Sequence, residues 1–373
     1  MRFGVAKETQ KGETRVALVP EMVKALVKRN HQVLVQSGAG LLASFSDSEY
    51  VAAGATLARD AAALFAESET ILKVQPFTRE ELALLGPGKA TVSFLWHLRN
   101  SELIDELARR KVTAFAMDAI PRITRAQSMD ALSSMATIAG YKAVLLAANH
   151  LGKFLPMLTT AAGTIRPAQG FILGAGVAGL QAIATARRLG AVVEAFDARA
   201  ATKEQVQSLG ATFVELRETS EDAEGAGGYA RQVSEETLAK QQALIAERLK
   251  AADFVITTAQ VPGKTAPRLI TPAMVAQMKP GSVIVDLAAE TGGNCTLTKP
   301  DERVVENQVL VLGPTNLPAE LPLDASRMYS RNIVALITDL TNDKGFTFDW
   351  NNPVFSETCL THNGERNTKR GMK

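Results

Sequence analysis

Residues 171–180 read FILGAGVAGL, and this stretch decides the fold. The apolar run 171–173 has the character of a strand, Gly174, Gly176 and Gly179 follow in GxGxxG spacing, and a helical period runs over 180–188. A second strand-like run, 192–196, ends in Asp197, about 20 residues beyond the motif. Each part has a physical task. Gly174 permits a tight turn, Gly176 lets a pyrophosphate approach the backbone, and Gly179 lets the helix pack on the strand. The phosphates then meet the positive end of the helix dipole and its free N–H groups. Asp197, with Ala198 and Arg199 behind it, stands where a carboxylate accepts hydrogen bonds from an adenosine ribose diol and repels a 2′-phosphate, which favours NAD(H) over NADP(H). Arg199 pulls the other way, because an arginine accommodates a 2′-phosphate.

Outward from this stretch, strands and helices alternate in both directions. Towards the C-terminus, 212–215, 254–257, 283–286 and 309–312 read as strands; towards the N-terminus, 3–6, 31–36, 70–74, 91–96 and 112–117 do, with amphipathic helices at 21–29 and 101–110. Such alternation predicts parallel sheets with helices on both faces. A helical pattern rich in Ala, Leu and Met, from about residue 130 to about 151, separates the two series. The fold expected is therefore α/β: two Rossmann-like, doubly wound parallel-sheet domains joined by a long helix. A last helical pattern, 324–340, has no strand of the second series to serve, and its crossing back would make the first domain discontinuous. The expected limits are 1–132 with 322–363 for the N-terminal domain, 133–321 for the nucleotide-binding domain, and a polar, mobile tail at 364–373.

Composition narrows the function classes. The chain of 373 residues is 46% apolar with a mean hydropathy of +0.02, as expected for a soluble globular protein. Its 41 basic and 39 acidic residues leave a net charge of +2, which argues against nucleic-acid binding through bulk positive charge. Cys295 and Cys359 stand far apart without a CxxC or Cys/His cluster, so neither a disulfide framework nor a zinc site is expected, and a reducing, cytoplasmic compartment fits best. Lys7 and Glu8 interrupt the N-terminus before a signal peptide can form. The longest uncharged stretch, 167–186, carries Gln169, Gln181, Thr185 and four glycines in a strand–turn–helix arrangement, so no membrane span is expected. The chain has no GxSxG, HExxH or metal-ligand cluster.

Three further features carry candidate chemistry. Residues 122–133, RITRAQSMDALS, place Arg122, Gln127, Asp130 and Ser133 in one segment at the domain junction, supplying a cation, an amide, a carboxylate and a hydroxyl to a ligand. Residue types alone leave a second reading open, in which Thr124 and Gln127 form a capping box for the long helix and Asp130 lies in its first turn. Arg15, Lys73 and His97 each fall at or beyond a strand end, where cations converge on a small carboxylate; singly, each reads as a surface charge or a hydrogen-bonded histidine. Residues 221–231, EDAEGAGGYAR, set glycines around Tyr229 as in a mobile lid, or as in a solvated acidic loop.

With KETQKGETRVA at 7–17, RITRAQSMD at 122–130, TAAGT at 160–164, GAGVAG at 174–179 followed by LQAIATA, AATKEQV at 200–206, GGYA at 227–230 and GGNC at 292–295, the chain resembles the soluble NAD(H)-binding component, domain I, of proton-translocating NAD(P)+ transhydrogenase. The resemblance implies that Arg122, Gln127 and Asp130 lie beside the nicotinamide with Ser133 close by. It also implies that Val177 lies against the dinucleotide and Asp197 holds the adenosine ribose, and that Gly228 and Tyr229 belong to a loop closing on the nucleotide. Gln241 and Gln260 match further positions near the cofactor. Hydride would pass directly from NADH to NADP+ on a partner's nucleotide-binding domain, the site of NADP(H), with membrane subunits conducting protons. The chain would then be a homodimeric peripheral subunit on the inner face of the cytoplasmic membrane, in a three-subunit arrangement. Alanine dehydrogenase is a relative in fold: Arg15, Lys73 and His97 fall where it binds its keto-acid. It is expected to carry an aspartate where AAETGG (288–293) has Glu290, and to lack RAQSMD. An NAD-dependent alanine dehydrogenase and an NAD-binding module without chemistry are the alternatives.

Overall fold

The computed structural model describes residues 1–215, 235–261, 263–342 and 345–367. Contacts divide the chain into two units, Met1–Met135 with the segment from Pro318 onward, and Ala136–Leu317. In the first unit, β1 (Arg2–Val5), β2 (Gln32–Gln36), β3 (Thr56–Ala58), β4 (Thr70–Leu72), β5 (Ala90–Ser93) and β6 (Thr113–Ala116) form a parallel sheet in the order β3-β2-β1-β4-β5-β6. The strands β4, β5 and β6 are buried along their whole length, as expected when helices cover both faces of a parallel sheet. The helix Ser101–Arg109 buries Ile104, Leu107 and Ala108, the i, i+3, i+4 stripe its sequence predicts. The strand expected to reach Trp96 stops at Ser93. There the Leu95 and His97 N–H groups donate to the Asp118 carboxylate (2.8 and 3.0 Å), and Trp96 turns into the left-handed region with φ +49°.

The helix Ala131–His150 leads from the first unit into the second. It is long and apolar enough to cross a bilayer on length and composition, yet its Ala143, Val144 and Ala147 belong to the core of the second unit. After a short hairpin, β7 (Leu158–Thr160) with β8 (Gly163–Ile165), come β9 (Gln169–Leu173), β10 (Val192–Phe196), β11 (Thr212–Phe213), β12 (Phe254–Thr257), β13 (Val283–Asp286), β14 (Arg303–Glu306) and β15 (Val309–Leu312). Their order is β11-β10-β9-β12-β13-β15-β14, all parallel except the edge strand β14. Alternation along the strands fills both faces: Ile172, Ile256 and Val285 pack with Ala182, Ile183 and Ala186, whereas Phe171, Val255 and Ile284 pack with Ile245 and Leu249.

The helix Pro322–Leu340 returns to the first unit, so that unit is discontinuous in sequence. A two-residue pairing of β16 (Thr341–Asn342) with β17 (Gly345–Phe346) follows, and β18 (Cys359–His362) then adds antiparallel to β6, with β19 (Glu365–Arg366) outside it. Both parallel sheets thus reverse their strand order beside their first strand, between β1 and β4 and between β9 and β12. Ligands of doubly wound folds bind outside the carboxyl ends of the strands at such a reversal.

Candidate functional site: a glycine turn and a polar turn

The second unit carries the glycine turn. Leu173 ends β9, Gly174 follows at φ +98°, and the helix begins at Val177, inside the motif and three residues earlier than the periodicity predicts. A Cβ on Gly179 would stand 1.8 Å from the Gly174 carbonyl oxygen, so only glycine allows this closeness of helix and turn. A Cβ on Gly176 would meet nothing within 4 Å. That open space, beside the first turn of a twelve-residue helix, fits the pyrophosphate of a dinucleotide. Val177 is 43% exposed at the same edge.

Asp197 follows β10, and its carboxylate is already engaged. One oxygen accepts the Ala175 N–H (2.7 Å) and Arg199 Nη2 (2.8 Å); the other accepts the Arg199 backbone N–H and Nε, both at 2.8 Å. Arg199 is therefore folded back on Asp197, with Ala198 half-buried between them, and the carboxylate also fastens the glycine turn. Gln241 is buried on the helix Glu235–Ala251, one and two turns before the core residues Ile245 and Leu249. Gln260 is exposed, and its Nε2 donates to the Leu287 carbonyl at 2.8 Å. Gly228, Tyr229 and the rest of the expected lid lie outside the described residues.

The polar turn belongs to the first unit. Thr124–Met129 is a short 3-10 helix of its own, and the long helix starts only at Ala131. The capping-box reading is thereby corrected: Asp130 is the cap, its carboxylate accepting the Ser133 N–H (2.9 Å) and the Ser133 hydroxyl (2.5 Å), because the helix starts one residue beyond it. Asp130 and Ser133 are thus brought together, half-buried, while Arg122 and Gln127 lie on the exposed side of the turn and Ala126 and Met129 on its buried side. The turn is held from behind. Asn332 Nδ2 donates to the Ser128 carbonyl at 2.8 Å, and Arg125 bonds to Asn352 and pairs with Asp339 at 3.5 Å.

Arg15 and Lys73 are not surface charges. Both are buried near the carboxyl ends of β1 and β4, each against carboxylates of the chain itself. Glu13 grips Arg15 at 2.6 and 2.7 Å, and Lys73 pairs with Glu81 (2.7 Å) and Glu8 (3.3 Å). Burial pushes the Glu8 carboxyl above its ordinary range despite Lys73, whereas for Glu13 the bonds and charge of Arg15 outweigh burial and hold it below. His97 Nδ1 lies 2.7 Å from Asp118. Burial acts to raise Asp118, but His97 and two backbone N–H groups lower it by more. Among the described residues no group of three His, Cys, Asp or Glu side chains is placed to hold a metal.

Known proteins share this chain's sequence and fold. The Alanine dehydrogenase/PNT N-terminal domain model matches residues 4–139 and the Alanine dehydrogenase/PNT C-terminal domain model matches residues 143–369. The chain belongs to this family. It is 46% identical to the first part of NAD(P) transhydrogenase subunit alpha of Rhodospirillum rubrum, over 98% of this chain and 97% of that one. The solved structure of a transhydrogenase from Sinorhizobium meliloti superposes with a TM-score of 0.86 at 40% identity, covering 98% of both chains. Alanine dehydrogenase of Mycobacterium tuberculosis is more distant, at 28% identity over 98% of this chain and 94% of that one. In this family member Glu290, the residue expected to separate the two branches, is exposed in the 3-10 turn Ala289–Thr291. Three residues around the crevice escaped the sequence reading: Thr258, whose hydroxyl donates to the Gly174 carbonyl at 3.2 Å, and the buried pair Asp286 and Asn294. A polar residue following a strand and the asparagine of GGNC were their only signals.

Proposed function

We infer that this chain is the NAD(H)-binding component of a proton-translocating NAD(P) transhydrogenase, passing hydride from NADH to NADP+ held by a partner's nucleotide-binding domain. The observation that carries this reading is the identity of 46% to a transhydrogenase alpha subunit along nearly the whole chain, against 28% to alanine dehydrogenase, with the RAQSMD turn intact. The nicotinamide supplies the hydride chemistry when bound, and the protein's residues hold and orient it. The open space above Gly176 and the helix opening at Val177 receive the pyrophosphate, and Asp197 takes the adenosine ribose by exchanging part of its hold on Arg199. Arg122 and Asp130 are assigned to the nicotinamide carboxamide and ribose, Ser133 to ring orientation through its bond to Asp130, and Gln127, exposed at the tip of its turn, to the incoming nucleotide. No proton need be abstracted, because hydride passes between two nicotinamides; position and electrostatics supply the rate. Gly228, Tyr229, Gln241 and Gln260 complete the nucleotide contacts in this reading. The subunit works as a homodimer, docked on the inner face of the cytoplasmic membrane through subunits that conduct protons.

One set of assays tests the proposal. The purified protein binds NADH with a change in nucleotide fluorescence, shows no turnover with alanine or pyruvate, and transfers hydride to an NADP analogue only after the partner nucleotide-binding domain is added. Turnover with pyruvate, ammonia and NADH alone overturns it.

A further inference from the structure

Beside the nucleotide crevice lies a buried polar hub that touches no expected cofactor position. Asp286, at the end of β13, is fully buried, and its carboxylate accepts five hydrogen bonds: from Thr257 Oγ1 (2.8 Å) and the Ala288 N–H (2.9 Å) on one oxygen, and from the Asn294 N–H (2.7 Å), the Cys295 N–H (3.0 Å) and Thr298 Oγ1 (2.7 Å) on the other. The loop 287–298 is thereby wrapped around one charge. A Cβ on Gly293 would stand 2.9 Å from the same carboxylate, so the loop closes only with glycine there. Asn294, held by that carboxylate and itself fully buried, spends its whole amide on the neighbouring loop. Its Oδ1 accepts the Ala259 N–H (3.0 Å), and its Nδ2 donates to the Ala259 carbonyl (2.8 Å) and to the Pro267 carbonyl (2.8 Å). Ala259 sits between Thr258, bonded to the Gly174 carbonyl, and Gln260, bonded to Leu287.

We propose that Asp286 and Asn294 are positioning residues for hydride transfer: they fix residues 258–260 as the nicotinamide-side wall of the crevice without touching the nucleotide. The assignment to that side follows from topology. Asp197 follows β10, on the half of the sheet that takes the adenosine, so the loop after β12, across the reversal from β9, faces the other half of a dinucleotide. An amide is required because only a side chain with an acceptor and two donors satisfies both the N–H and the carbonyl of Ala259 and the Pro267 carbonyl together. Asn294→Asp, nearly equal in shape, would turn an oxygen on two buried carbonyls.

The inference rests on the proposed NAD(H) binding, and the test separates the two. NADH and adenosine 5′-monophosphate affinities are measured for the full chain, for Asn294→Ala and for Thr298→Val, with thermal melting as the control for folding. Loss of the Ala259 anchor loosens the wall in the free protein, so NADH must re-order it on binding and should weaken about ten- to a hundredfold, while the monophosphate, which does not reach the wall, should change less than about twofold. Thr298→Val removes one of the five bonds with little change of shape, and should give the same split at about two- to fivefold. It decides the matter if Asn294→Ala does not fold. Equal weakening of both nucleotides, or unchanged NADH affinity in a folded variant, overturns the positioning role. Failure of the unaltered chain to bind NADH overturns the proposed function instead.

Discussion

Gly176→Ala separates the glycine turn's work in binding from its work in folding. Gly176 has φ −78° and ψ −169°, an extended conformation open to alanine, and its added Cβ would meet no protein atom within 4 Å. Folding should therefore gain: replacing glycine where the native backbone suits alanine stabilises by about 0.4–1 kcal/mol, through the smaller entropy of the unfolded chain. Binding should lose. A phosphate oxygen bonding to the helix N-terminal N–H groups comes to about 2.9 Å of nitrogen, and a methyl group projecting into that approach holds it off by several tenths of an ångström. Loss of one charge-assisted hydrogen bond costs about 1.5–3 kcal/mol, which is about ten- to a hundredfold in Kd. The assay is a thermal melt of the free protein beside a fluorescence titration with NADH. Tm should be unchanged or raised, with NADH binding at least tenfold weaker. A variant that binds NADH like the parent chain would show that the phosphates do not pass over Gly176, and one that melts lower would show that the space is not open.

Gly179→Ala should behave in the opposite way: its Cβ would lie 1.8 Å from a backbone oxygen that has no rotamer to yield, so the free protein should lose about 1–3 kcal/mol, seen as a lower Tm before any ligand is added. Asp118→Asn should cost about 2 kcal/mol at pH 7, since three hydrogen bonds to a buried carboxylate are weakened. The folded carboxyl lies below its ordinary pKa, so its contribution is complete above about pH 4 and is lost as pH falls through the lowered value. Urea melts at pH 7 and pH 3 should show the gap between variant and parent closing in acid; a gap independent of pH would exclude the linkage. Gln127→Asn should slow hydride transfer to the partner-bound nucleotide while NADH affinity holds, and a matching loss of binding would move Gln127 into the NADH site. Arg199→Ala removes the two side-chain bonds from Asp197 and leaves the two backbone ones, so NADH should bind a few-fold more tightly; weaker binding would mean that Arg199 itself contacts the nucleotide.

Much of this architecture was legible because parallel strands buried on both faces leave near-continuous apolar runs, as in 254–257 and 283–286, and because glycine spacing carries its own geometry. What escaped depends on pairing partners that the residue pattern does not name. The run 303–306 is largely exposed and becomes strand β14 only through pairing with β15, and β18 is recognisable only once β6 offers an edge. The cap of the long helix was misplaced because Thr124, Gln127 and Asp130 all suit a helix start, and only the 3-10 turn decides among them. Buried Lys73 read as a surface charge because Glu8 and Glu81 meet it only through the fold, and Arg15 did so because a glutamate two residues away does not by itself signal burial. Asp286 and Asn294 give no signal for a different reason: their bonds go mostly to backbone groups, which any sequence supplies.

The helix Pro322–Leu340 shows how such distant partners can share one cause. It returns to the first unit without a strand of its own to cover, yet one side of it meets several polar features of that unit. Ser326 and Ser330 accept the Val16 and Val19 N–H groups just beyond Arg15, Tyr329 donates to the Lys73 carbonyl at 2.9 Å, and Asn332 holds the Ser128 carbonyl behind Gln127. These positions recur at three- and four-residue steps, the spacing of one helix face. A helix is stiff over this length, so the loop bearing Arg15, the end of β4 and the RAQSMD turn are referred to one rigid body rather than to each other. Strand order alone would leave those loops independent; the returning helix makes the turn that displays Gln127 depend on residues about 200 positions later in the chain.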